Sequence, residues 1–202
     1  MSKGKVFIIS GPSGSGKDAI LQNVLKERKD IFFSISSVTR EMREGEVEGD
    51  KYHFISKSEF EHGLENFQFL EYNKYLDNYY GTPRAPIEAQ IEKGNDVLIE
   101  VDVNGAFSIK EKMPDVTMIF IMPPSLRVLK TRLSGRGTET KEQIEKRLQA
   151  ALGEIKCADK YNYIVVNDQL EIAVKDVLSV LRSCKLELNC QKNIINEVLN
   201  NA

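Results

Sequence analysis

The sequence predicts an α/β fold: a three-layer sandwich with a parallel core sheet, interrupted by a small mixed α/β insertion and a helical one. Three observations carry this. Four apolar runs, Val6-Phe7-Ile8-Ile9, Val97-Leu98-Ile99, Val116-Thr117-Met118-Ile119-Phe120-Ile121 and Tyr163-Ile164-Val165-Val166, alternate with helical patterns. Strands buried on both faces read as such runs, and alternation with helices favours parallel pairing. The first run leads into Gly11-Pro12-Ser13-Gly14-Ser15-Gly16-Lys17-Asp18. Two polar stretches, 36–82 and 135–160, break the alternation and would stand over the C-terminal edge of the sheet as movable lobes.

Strand one is residues 6–10 and the first helix 17–29, with Ile20, Leu21, Val24 and Leu25 on one face. Strand, glycine-rich loop, helix is the context a phosphate-binding loop needs. Glycines let the backbone wrap an anion, the helix aims its positive end at the same point, and Lys17 adds a full charge. The spacing fits G-x-x-x-x-G-K-[ST] everywhere but the last place, where Asp18 replaces a hydroxyl residue. Gly11, Pro12, Ser13, Gly14, Ser15, Gly16, Lys17 and Asp18 are therefore expected to hold a nucleoside triphosphate, making this a P-loop sandwich.

A short strand is expected at 31–35. Residues 36–50 are dense in charge and poor in apolar side chains, so a loop or ligand surface is expected instead of a buried strand. Residues 52–55 read as a strand, and 56–66 as a helix with Ser58 near its start and Phe60 and Leu64 on one face. Residues 69–72 and 78–81 read as short strands or turns, and 86–92 as a helix ended by Gly94-Asn95. The run 97–102 belongs mid-sheet. It ends in Glu100 and Asp102, at the edge where open α/β sheets bind ligands. Helices at 105–112 and 125–133 flank the strand at 116–121, which Pro123-Pro124 stops. The stretch 135–160 is mostly helical, 163–166 is the last core strand, and 169–181 is a helix. From Ser183, the residues Leu186, Leu188, Ile194, Ile195, Val198 and Leu199 suggest an amphipathic tail helix packed on its own sheet or on a neighbour.

Composition narrows the class. With 202 residues, 41% apolar and 29% charged, the chain suits one soluble domain with inserted lobes. A formal charge of −2 gives no reason to expect nucleic acid as a partner, and no run is long and apolar enough to cross a membrane. Met1-Ser2-Lys3-Gly4-Lys5 leads straight into strand one, leaving no room for a signal peptide. Cys157, Cys184 and Cys190 are odd in number and lack metal-site pairing, so they read as reduced thiols of a cytoplasmic protein. His53 and His62 are too few for a histidine metal site and are expected at the surface. Monomer and homo-oligomer both remain open.

The stretch 36–54 adds a second anion site. Arg40 and Arg43, three apart, stand among serine and tyrosine hydroxyls. Arginine forks suit a dianionic phosphate, which here would face the γ-phosphate on Lys17. At these residues the chain resembles guanylate kinases. The family pattern S-x-T-T-R-x-P-R-x-G-E runs on to Y-x-F, and it is matched over residues 36–54 with Val38 for a threonine and Met42 for the proline. Glu71 followed by Asn78-Tyr79-Tyr80-Gly81-Thr82 matches a further motif. So do Gly135-Arg136-Gly137-Thr138-Glu139-Thr140, Lys146-Arg147-Leu148-Gln149-Ala150-Ala151 and Val165-Val166-Asn167-Asp168, in the family's order. The resemblance spans residues 4–182.

The resemblance implies phosphoryl transfer from ATP to GMP with Mg²⁺, serving GMP recycling and GTP precursor supply. It implies a P-loop core (1–35, 83–134 and 161–183), a GMP-binding lobe (36–82), a helical lid (135–160) and a tail helix (184–202). Ser36, Arg40, Arg43, Tyr52 and Tyr80 would hold the GMP phosphate, with Glu46 and Gly81 in the same binding set. Glu71 and Thr82, helped by Asp102, would read the guanine. One carboxylate accepts both N1–H and the 2-amino group, whereas the N1 lone pair of adenine is repelled. Lys17, Arg40, Arg132, Arg136 and Arg147 would surround the transferring group, and Asn167 would touch the adenine. Asp18, directly or through water, is the candidate Mg²⁺ ligand. The nucleophile is a phosphate oxygen already ionised near neutral pH, so no general base is assigned. A rival reading, a non-catalytic module binding phosphopeptides, fits less well with a chain that keeps Lys17, Arg136 and Arg147. Kinases of other nucleoside monophosphates are opposed by Glu71 and Thr82.

Overall fold

Strand β1 (Val6–Ser10) is buried along its whole length and lies at the centre of a five-stranded parallel sheet. Its neighbours are β2 (Phe32–Ser34), β7 (Val97–Glu100), β8 (Thr117–Met122) and β9 (Tyr163–Val166), in the order β2-β7-β1-β8-β9. Ile8 stands opposite Ile99 on one side and Met118 on the other. The coordinates are a computed structural model and describe residues 3–135 and 140–200.

Side chains alternate across a strand, so one sheet builds two cores. Phe7, Ile9, Leu98, Ile119 and Ile121 pack with Ile20 and Val24 of α1 (Lys17–Glu27) and Val177 and Leu181 of α7 (Leu170–Lys185). Val6, Ile8, Val97, Ile99 and Met118 pack on the opposite side, with Ile87 of α3 (Arg84–Glu92) and Ala106 and Ile109 of α4 (Val103–Lys112). Helix, sheet and helix are the three layers predicted.

A second sheet of four strands comes from residues 36–83. Its order is β4 (Tyr52–Phe54), β3 (Ser36–Val38), β6 (Asn78–Pro83), β5 (Phe69–Tyr75). β3 pairs parallel with β4 and antiparallel with β6, and β5 and β6 form a hairpin. Helix α2 (Lys57–Glu65) closes this lobe. Its Phe60 ring stacks on Phe69 at 4.3 Å and on Tyr79 at 5.1 Å. Helices α5 (Leu126–Ser134) and α6 (Lys141–Ile155) pack together through Leu129, Leu133 and Ala151.

Several expectations need correction. The polar stretch opens with strand β3, whose Ser37 and Val38 are buried. Three residues are too few for a periodic signal, and the ladder satisfies Ser37's backbone as well as it would valine's. Ser56, not Ser58, starts α2, through a reciprocal capping box with Glu59. β9 is an edge strand, with Ile164 and Val166 half exposed. Helix α7 runs on to Lys185, beyond the expected end at residue 181 or 183. The tail forms α8 (Leu188–Asn200), and none of its residues is buried, so of the two expected partners its own sheet does not cover it. Cys157, Cys184 and Cys190 are free thiols, and among the described residues no helix is long and apolar enough to cross a membrane.

Candidate active site

The P-loop is shaped by its glycines. Gly11, Gly14 and Gly16 have φ of 148°, 85° and 90°. A Cβ on Gly11 would strike the Ile121 carbonyl, and one on Gly16 the Asn167 amide. Gly16 precedes α1 without any side-chain cap, so the first amides of the helix face the loop unclaimed by a side chain. Lys17 Nζ donates to the carbonyls of Gly11 at 2.7 Å and Pro12 at 3.3 Å, which holds the lysine across the loop's mouth.

The loop is braced from behind. Asn167 is buried, and its Nδ2 donates to the Ser15 carbonyl at 2.7 Å. Arg132 donates to that same carbonyl at 3.3 Å and to the Asn167 carbonyl at 2.9 Å. Asn167, expected against adenine, and Arg132, expected at the transferring group, both support the loop here. Arg147 of α6 donates to Ser13 Oγ at 2.6 Å. Arg136 lies outside the described residues.

A cavity of about 680 Å³ joins the loop to the second sheet. The P-loop contributes Gly11, Ser13, Lys17 and Asp18 to it, the end of β7 contributes Glu100 and Asp102, and the second sheet contributes Ser36, Tyr52, Glu71, Tyr80 and Gly81. Glu71 and Thr82 face each other across the β5–β6 ladder, and Thr82 Oγ1 donates to Glu71 Oε1 at 2.6 Å. Both are buried. Burial, with the nearby charge of Asp102, pushes the Glu71 carboxyl up to about 6, although the Thr82 bond pulls the other way. Gly105 makes room for it, since a Cβ there would lie 3.1 Å from Glu71 Oε2. Asp102 caps α4, its Oδ1 accepting the Gly105 N–H at 2.8 Å.

The arginines lie at the flank of the cavity. Arg40 makes a bidentate pair with Glu46, at 2.6 and 2.7 Å, and its guanidinium lies 5.3 Å from the Tyr52 ring centre and 5.4 Å from that of Phe54. Glu46 also accepts the backbone N–H of Arg43 at 2.8 Å. The Arg40 pair holds the Glu46 carboxyl at about 2. The Arg43 side chain is exposed. In this arrangement Glu46 orients Arg40 and tethers the Arg43 backbone.

Glu100, Glu154 and Asn73 are among the cavity residues to which the sequence assigned no role. Glu100 had a signal, a carboxylate ending a buried strand beside the P-loop strand. Burial first, then the charge of Asp18, raises its carboxyl, while Lys17 and Lys51 oppose the shift. Glu154 comes from α6. Burial raises it, with Lys17 opposing and Asp102 adding to the shift. Nothing local in the sequence marks Glu154 or Asn73, because a helix and a strand distant in the chain bring them to the cavity.

A metal fits one part of this set. Asp18 is exposed, 3.6 Å from Lys51, and its charge is felt by Glu100. Mg²⁺ is usually bound by one or two carboxylates plus substrate phosphates. Two mutually repelling carboxylates beside a phosphate loop suit that mode. Among the described residues no group of three or more histidine, cysteine or acidic side chains forms a complete protein cage.

A P-loop facing a second, arginine-flanked site across one cavity, with a buried carboxylate at its far wall, defines a kinase of the nucleoside monophosphate class. The comparisons with known proteins narrow this further. The guanylate kinase family model matches residues 3–184. A guanylate kinase of Clostridioides difficile (strain 630) is 46% identical over 197 residues, covering 98% of this chain and 96% of its own length. Another, of Carboxydothermus hydrogenoformans, is 44% identical over 187 residues, covering 93% and 92%. The crystal structure of guanylate kinase from Anaplasma phagocytophilum matches with a TM-score of 0.76 at 30% identity, covering 94% of this chain and 90% of that one. The chain belongs to the guanylate kinase family.

Proposed function

We propose that the protein transfers the γ-phosphoryl group of ATP to GMP, giving ADP and GDP, with Mg²⁺. The observation that carries this is the single cavity lined both by Lys17 and by Glu71. In this reading the loop amides and Lys17 take the β- and γ-phosphates, and Lys17 exchanges its two loop carbonyls for them. Arg40, oriented by Glu46, reaches the GMP phosphate with Ser36, Tyr52 and Tyr80, and Arg43 joins from the exposed rim. Glu71, its oxygen set by Thr82, accepts the guanine N1–H and one hydrogen of the 2-amino group.

The chemistry asks for alignment more than for proton transfer. A GMP phosphate oxygen attacks the γ-phosphorus while the bond to the β-bridging oxygen breaks, and the electron pair leaves on ADP. In this reading Arg147 serves the transferring group from α6, Arg136 is assigned the same role by its motif, and Arg132 and Asn167 keep the loop rigid beneath it. Bound Mg²⁺, held by Asp18 and Glu100 in this reading, would supply charge neutralisation to the phosphates. Closing of the 36–82 and 135–160 lobes over the cavity would exclude water as a competing acceptor. Three free thiols accord with a cytoplasmic location.

The test is ADP release from ATP and Mg²⁺ with GMP, AMP, UMP and CMP offered separately. The expected result is release that requires GMP, with GDP formed in equal amount. Protein that binds GMP but releases no ADP with any acceptor would overturn the catalytic reading and favour a binding module.

A further inference from the structure

Strand β5 turns alternate residues to the cavity, and Glu71, Asn73 and Tyr75 all line it. Asn73 is exposed and adds nothing to the hydrophobic core. Its Nδ2 donates to Asp102 Oδ2 at 3.3 Å. The flipped amide would set a carbonyl oxygen against a carboxylate, so the chemistry fixes which end faces Asp102. Asp102 is thereby tied on both sides, by the Gly105 N–H at 2.8 Å on Oδ1 and by Asn73 on Oδ2.

Guanine presents three N–H bonds along one edge: N1–H and two on the 2-amino group. Glu71 can take N1–H and one of the two. The other needs its own acceptor, because a donor covered without a partner is costly. Asp102 has lone pairs left after its two bonds, and it lines the same cavity as Glu71. We propose that Asn73 is a positioning residue for base selection: it holds Asp102 so that this carboxylate accepts the second hydrogen of the 2-amino group. Asn73 thus helps the site tell a 2-aminopurine nucleoside monophosphate from one bearing hydrogen at C2. This inference rests on the kinase reading above.

The probe is IMP, whose base presents N1–H and the 6-oxo group as guanine does but lacks the 2-amino group. Steady-state transfer from ATP to GMP and to IMP is measured for the full chain and for Asn73→Ala. The expected result is a fall of about fivefold or more in the ratio of kcat/KM for GMP over IMP, carried by KM for GMP. KM for ATP on the same protein checks that the variant is folded. An equal loss for GMP and IMP would show a merely structural role and overturn the inference, and so would an unchanged ratio. Wild-type protein inactive with GMP would instead overturn the kinase reading, and this inference with it.

Discussion

Glu71 carries a cost in the free protein. Its carboxyl is buried against Thr82 and near Asp102, and it titrates at about 6 against 4.5 for an ordinary glutamate. A folded-state value above the unfolded one gives a stability contribution that is complete below about 4.5 and lost as pH rises through about 6. At neutral pH the ionised group therefore destabilises the fold, by about 2 kcal/mol. Guanine would repay this by donating two hydrogen bonds to the carboxylate. Glu71→Gln should accordingly melt higher than wild type at pH 8, with the advantage shrinking toward pH 5, while kcat/KM for GMP falls at least about a hundredfold. Thermal melts across pH and GMP kinetics check the two halves. A variant no more stable at pH 8 than at pH 5 would remove the electrostatic account. Asp18 is tested on the metal side. In the proposed reading Asp18→Ser removes one of the two carboxylates that would hold Mg²⁺, so the half-saturating Mg²⁺ should rise about threefold or more. A Mg²⁺ titration that superposes on wild type, with the same KM for ATP, would refute a metal role for Asp18.

At the scale of elements, the P-loop is a backbone held in an unusual shape by what lies behind it. Gly16 combines a φ of 90° with a direct approach to the Asn167 amide, which itself holds the Ser15 carbonyl. Gly16→Ala should cost about 1–3 kcal/mol from backbone strain alone, and displacing Asn167 should raise KM for ATP well beyond that for GMP. Melting temperature and the two KM values decide it. This loop was legible in the sequence because its requirement is local: glycines at fixed spacing between an apolar strand and a helix. The three central strands, β7, β1 and β8, were legible because burial on both faces needs apolar runs. β3 was not, since its order comes from β4 and β6 on either side and not from its own side chains. Nor was β9's place at the edge, because apolar composition marks a strand without saying how many neighbours it has. Motifs likewise named Asn167 and Arg132, but not the bonds by which they brace the loop, which depend on two carbonyls of the folded chain.

Across the whole molecule, the expected boundary at residues 183–184 falls inside a helix that the fold needs. Cys184 is buried in the core, and Lys185 Nζ lies 2.9 Å from Asp96, a buried carboxylate that also receives the Lys5 backbone N–H at 3.1 Å. These ties join the start of the chain, the β7 strand and the end of α7, and no local pattern could announce them. Beyond them, Glu187 reaches back to Lys5 at 2.7 Å, and Gln191 donates to the Lys185 carbonyl at 2.9 Å. The rest of α8 holds its apolar side chains in the open. Two truncations should therefore differ sharply. A chain ending after Glu187 should melt within about 3 °C of the full chain, since little buried surface is lost. A chain ending after Arg182 exposes the core around Leu181 and leaves Asp96 without Lys185. Lys185 is partly exposed and Arg28 still lies 3.7 Å from Asp96, so losing the ion pair costs on the order of 1 kcal/mol. The lost Cys184 packing adds to it, and this shorter chain should melt several degrees lower. Equal melting temperatures for the two would mean that the fold ends where the sequence pattern put it, and that the Asp96 network contributes little.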